Sequence, residues 1–174
     1  MKRYVIIIFS TVFLASCGVA VDYDYEKSTD FSNYKTYNYF TDMSSGLSEL
    51  DEKRLIRTLD AQLRTMGLQK SDTPDFRIDL KSQEFTGPNR STVGVGLGGG
   101  GRNVGGGISV GIPVGRQSAT RELSIEFVDD SKNGMFWQVV SESQFNNRAT
   151  PDQREAYFSK VVEKMMSKYP PKTK

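Results

Sequence analysis

The spacing of hydrophobic and polar positions changes several times along the chain, and each change predicts an element. Residues 4–15, YVIIIFSTVFLA, are uncharged and mostly apolar. From Gly18 the pattern alternates: Val19, Val21, Tyr23 and Tyr25 share one face, Asp22, Asp24 and Glu26 the other. That period of two predicts a half-buried strand. A polar turn follows, then a second strand near Thr36 to Thr41.

The stretch SSGLSELDEKRLIRTLDAQLRTMGLQ shifts to helical spacing, with Leu55, Ile56, Leu59, Leu63 and Met66 on one stripe. Ser48 is the predicted N-cap, Glu49, Asp51 and Glu52 suit the helix dipole, and Gly67 fits a left-handed stop. Alternation returns at Phe76, Ile78 and Leu80, against Arg77, Asp79 and Lys81. Strand, helix, strand in that order predicts a crossover between two roughly parallel strands. Leu123, Ile125 and Phe127, the turn DDSKNG, and Met135, Trp137 and Val139 predict a hairpin. Thr150 as cap, Pro151 at N1 and Gln153 in a capping box open a second helix. Its stripe is Tyr157, Phe158, Val161, Val162 and Met165, and Pro170-Pro171 ends it. One-sided helices and strands predict an α+β two-layer sandwich: a mixed, mostly antiparallel sheet with both helices on one face.

The apolar run at the start has Lys2 and Arg3 before it and is too short for a membrane-spanning helix, which needs roughly 20 residues. Leu14-Ala15-Ser16-Cys17 resembles the bacterial lipobox. The resemblance implies a signal peptide over 1–16, cleavage before Cys17, and diacylglycerol on its sulfur. Cys17 is the one cysteine, so a single lipid-anchored domain over 17–174 would fold without disulfides. Lys2 and Arg3 account for the excess of 23 basic over 21 acidic residues. The chain from Cys17 onward is therefore formally neutral, with no general attraction for nucleic acid. Gly18 after the cysteine favours the outer membrane, facing the periplasm.

The order of the pieces DYDYEKSTDFSNYKTYNYF, an amphipathic helix, TPDFRIDL, a Gly-rich spacer, RELSIEFVDDSKNGMFWQV and a helix ending in YP resembles a family of bacterial lipoproteins. That family is domain of unknown function 4136. The resemblance implies an envelope lipoprotein and supplies no catalytic residues.

With no histidine, Ser-His-Asp and Cys-His systems and histidine metal sites are excluded. Asp129, Ser131, Asn133 and Gly134 match the start of an EF-hand loop, but Val140 stands where the bidentate Glu belongs. A plain turn is the expectation there, and neither a metal nor a cofactor is expected. The expected class is non-enzymatic, a binding or assembly module at the membrane. The alternative is a small carboxylate-based hydrolase or ligand-processing domain, which would need Asp and Glu side chains converging in a pocket. Five of eight tyrosines lie in residues 23–40, where they pack on a sheet face or stack on sugars. Packing is the expectation.

Residues 87–115 hold twelve of the sixteen glycines. Gly94, Gly96 and Gly99 have dinucleotide-loop spacing, but no capped helix follows to receive a pyrophosphate. Val93, Val95 and Leu97, then Ile108, Val110, Ile112 and Val114, alternate with mostly glycine faces, which predicts a hairpin excursion. Three readings stand: an extension of the domain's own sheet, an interaction surface for an envelope partner, self-association or the lipid surface, and a barrel-forming hairpin. The alternations cover 5 and 7 residues, against about 9–11 for a spanning strand.

Overall fold

The computed structural model describes residues 18–85, 119–131 and 134–172. Six strands and two helices make up this part: β1 (Ala20–Tyr25), β2 (Thr36–Tyr39), α1 (Glu49–Thr65), β3 (Gln69–Lys70), β4 (Phe76–Phe85), β5 (Ala119–Asp129), β6 (Gly134–Phe145) and α2 (Pro151–Met166). A 3-10 turn over Phe31–Asn33 leads into β2. The sheet order is β1-β6-β5-β4-β2-β3. The pairs from β1 to β4 are antiparallel, and β2 runs parallel to both β4 and β3. The α+β class, the mixed sheet and the β2–α1–β4 crossover are as the periodicity predicts. The two-residue β3 has no periodic signal and forms only because α1 returns the chain beside β2.

Both helices pack on one sheet face around a single core. Leu55, Leu59 and Leu63 of α1 and Phe158, Val161, Val162, Met165 and Met166 of α2 meet Ile78, Leu80, Leu123, Ile125, Phe127, Trp137 and Val139. Removing side chains of this size from water contributes about 1.5–3 kcal/mol each, offset by the entropy of ordering them. The Ser48 hydroxyl accepts from Asp51 N, and Thr150 and Gln153 complete the capping box. Gly67 closes α1 at φ +85°.

One inward position differs from the alternation. Met135 is 49% exposed, while Phe136 and Trp137 are both buried. Phe127 pairs with Trp137 but Val128 pairs with Met135, so a bulge places two residues of β6 opposite one step of β5. The extra residue turns Phe136 inward, where it stacks on Tyr34 with ring centroids 4.1 Å apart. Three tyrosines of residues 23–40 lie inside the protein. Tyr34, Tyr37 and Tyr39 are buried, and their hydroxyls donate to carboxylates, Tyr34 to Asp129 at 2.9 Å and the other two to Asp60 at 2.9 and 2.7 Å. They are packing residues, with tips bonded inside the protein.

Candidate functional site

The strand directions give the domain two different ends. One end holds the starts of β2, β4 and β6 and the end of β5; the other holds the start of β1, the ends of β4 and β6 and the start of β5.

At the first end a cleft of about 400 Å³ is lined by Tyr34, Asp75, Arg77, Asp129, Asp130 and Ser131, among others. Carboxylates do converge here, yet each is already engaged. Asp75 accepts from the backbone N–H of Lys35 at 2.9 Å and of Thr36 at 2.8 Å, tying β2 to the entry of β4. Donation from Lys35 N–H, with that of Thr36, holds its pKa below the ordinary carboxylate value. Asp129 accepts from the Tyr34 hydroxyl and from Ser131 N and Oγ, and Arg77 pairs with Asp130 at 3.1 Å. An acid catalyst needs a carboxyl whose proton is retained near neutrality. Asp75 is shifted the opposite way. Asp129, offered by the EF-hand spacing, is instead a buried strut beneath the hairpin. Among the described residues no three His, Cys, Asp or Glu side chains are grouped to hold a metal.

The second end carries a charge cluster drawn from both helices and the sheet. Asp51, in the first turn of α1, is 2% exposed. Its Oδ1 accepts from Arg54 Nη1 at 3.0 Å, its Oδ2 from Arg154 Nη1 at 2.5 Å, and Arg121 Nη1 lies 4.0 Å away. Arg121 bonds to Glu84 and stacks its guanidinium 3.5 Å from the Phe145 ring centroid. The hydrogen bond from Arg121 keeps the Glu84 pKa below its usual value. Burial of so many charges is tolerable only because they are mutually paired. The cluster escaped the linear reading because its members are spread from residue 51 to 154. One signal existed: Arg121 occupies an inward position in the alternation Arg121, Leu123, Ile125, Phe127.

Cys17 and the predicted contact residues Val93, Val95, Leu97, Ile108, Val110, Ile112 and Val114 lie outside the described residues. Their points of attachment are described. Gly18 and Val19 stand at the second end, as do Phe85 and Ala119, which bracket the Gly-rich stretch. No described helix is long and apolar enough to cross a membrane.

A mixed six-stranded sheet with two helices packed on one face defines an α+β two-layer sandwich. Within that class the assignment is specific: the profile of the family Domain of unknown function (DUF4136) matches residues 21–171, and the chain belongs to it. No curated protein matches the sequence. Among solved structures, a PDZ domain protein from Parabacteroides distasonis is similar, with 16% identity and TM-score 0.57. The match covers 89% of this chain, which spans 36% of that protein. PelC from Paraburkholderia phytofirmans, solved as a dodecamer, is similar at 9% identity and TM-score 0.51, covering 86% of this chain and 96% of PelC. At such identities the likeness is one of fold.

Proposed function

We propose that this protein is a lipid-anchored envelope module, held at the membrane through Cys17 and acting by binding or assembly rather than by catalysis. The observation that carries the reading is the position of Cys17 relative to the fold. Gly18 is exposed, Val19 is already in the core, and β1 begins at Ala20, three positions after the cysteine of Leu14-Ala15-Ser16-Cys17. Cleavage before Cys17 would retain every described element, from β1 onward. Diacylglycerol there would give durable attachment, each buried CH₂ contributing about 0.8 kcal/mol. The outer membrane, periplasmic face, is the proposed address.

The assembly half of the proposal draws on the fold shared with PelC, which occurs as a dodecamer. The hydrolase alternative has the 400 Å³ acidic cleft in its favour. The engagement of Asp75, Asp129 and Asp130 in structural bonds favours the binding module. Cys17→Ser is the test: the variant is expected to leave the membrane fraction or accumulate as precursor, with the intact mass lacking the lipid. Normal fractionation and an unchanged mass would refute the anchor. Sedimentation of the detergent-solubilised protein reports on self-assembly, and a monomer at all concentrations would leave binding of a different protein as the surviving role.

A further inference from the structure

The geometry points to one end of the sheet as the surface that rests on the bilayer: the end formed by Val19, Phe85, the loop after Phe145 and the first turn of α1. The inference deepens the lipid-anchor reading and rests on it.

Three observations select this end. The first is reach. Cys17 stands two positions before Val19, which is buried at 7% exposure, and two extended residues span at most about 7 Å. The headgroup layer of one leaflet is itself roughly 5–8 Å deep, from the difference between total and hydrocarbon thickness. No linker separates the anchor position from β1. Ala20 is fastened opposite Glu142, so the whole β1–β6 end must approach with the anchor.

The second is the surface chemistry of that end. Four large apolar side chains are notably exposed among the described residues, and two of them lie here. Leu50, 63% exposed, projects from the first turn of α1, and Phe85, 49% exposed, ends β4. Their neighbourhood is fixed by the Asp51–Arg121–Glu84 cluster, which ties the start of α1 to the end of β4. Exposed Arg148, in the loop between Phe145 and α2, adds a cation. Isolated apolar side chains suit the headgroup boundary, where they leave water.

The third concerns the competing orientation. The sheet face without helices carries exposed Asp22 and Asp24, which standing on the Leu50–Phe85 end lifts away from the leaflet, whereas Glu142, opposite Ala20, and its neighbour Glu122 lie toward the anchored end in either orientation. An anionic leaflet repels such a face. Standing on the Leu50–Phe85 end is therefore favoured over lying flat, and it turns the cleft beside Asp75 and Asp129 toward the aqueous compartment.

The test uses single cysteines in the full-length lipoprotein, labelled with an environment-sensitive fluorophore. If Cys17 is acylated, the added thiol is the only one free. Arg148→Cys marks the membrane end and Lys27→Cys the opposite end, both at exposed turn positions. Each protein is reconstituted into vesicles of phosphatidylethanolamine and phosphatidylglycerol bearing brominated acyl chains. The label at 148 is expected to be blue-shifted and to lose most of its emission to the bromines, and the label at 27 to keep its aqueous spectrum. Quenching at 27 and not at 148, or at neither while the protein floats with the vesicles, overturns the orientation and leaves the anchor standing. A protein that does not float and whose mass lacks lipid overturns the anchor, and the orientation falls with it.

Discussion

Asp51, at the start of α1, holds Arg154, at the start of α2, by a 2.5 Å contact across 103 residues of sequence. The pair joins the first turns of the two helices over the end of the sheet. With Arg54 on its other oxygen and Arg121 behind it, Asp51 is the hub of a buried network. Removing Asp51 leaves half-buried Arg154 without its carboxylate, while Arg54 keeps Glu155 and Arg121 keeps Glu84. Asp51→Ala is expected to cost about 3–5 kcal/mol of folding free energy. Urea unfolding measures it. In a double-mutant cycle Arg154→Ala should add far less to Asp51→Ala than it costs alone; full additivity would mean that the contact is not a coupled one.

Trp137 is the single tryptophan and is fully buried, 4.6 Å from the Phe127 ring and 5.2 Å from Tyr169. Trp137→Ala should lose about 3–5 kcal/mol. The native wild type should emit at a blue-shifted wavelength, moving red on unfolding. A water-like native spectrum would contradict the packing.

Gly46 sits at φ +72°, and an added Cβ would come 2.6 Å from the Ser82 carbonyl oxygen. The approach is held by Ser82 N donating to Ser45 O at 2.7 Å. Gly67 has φ +85° but open space around it. Alanine at Gly67 should therefore cost only the left-handed penalty of about 1–2 kcal/mol, and alanine at Gly46 visibly more. Equal melting temperatures for the two variants would argue that the 44–47 loop can move off β4.

Asp75 and Glu84 both have lowered native pKa values, through backbone donation at Lys35 and the Arg121 hydrogen bond respectively. A depressed carboxylate contributes stability that is complete above its unfolded value of about 4 and is lost as pH falls through the native value. The urea midpoint should hold steady from pH 7 to 5 and drop below about pH 4. In Asp75→Asn the drop should be shallower, since that carboxylate no longer takes up a proton. An identical acid profile in the variant would remove Asp75 from the account.

Phe85 is opposite Thr120 in the β4–β5 ladder, so the residues bracketing the Gly-rich stretch are cross-strand neighbours. A short Gly-Ser linker in place of residues 88–115 can therefore join the strands, and closing a shorter loop costs no more than closing a long one. The variant is expected to unfold cooperatively near the wild-type temperature while crosslinking to envelope partners falls. A collapsed melt would place Val93 to Leu97 or Ile108 to Val114 in the core.

Local pattern determined much of this protein. The stripe of α1, its Ser48 cap and Gly67 stop, the Thr150–Gln153 capping box and the inward face of β4 all follow from spacing and cap chemistry, because each depends on residues within a turn or two. The class of fold followed from their one-sidedness. What tertiary structure alone decided lies where distant residues meet. The bulge that exposes Met135 and buries Phe136 depends on how β6 registers against β5. The partners of the Tyr34, Tyr37 and Tyr39 hydroxyls come from Asp129 and Asp60, 95, 23 and 21 residues away. The Asp51–Arg121–Arg154 cluster needs two helix starts and two strand ends brought to one place. Charges separated by a hundred residues have no common period, so only the packed sheet could show them as a single network.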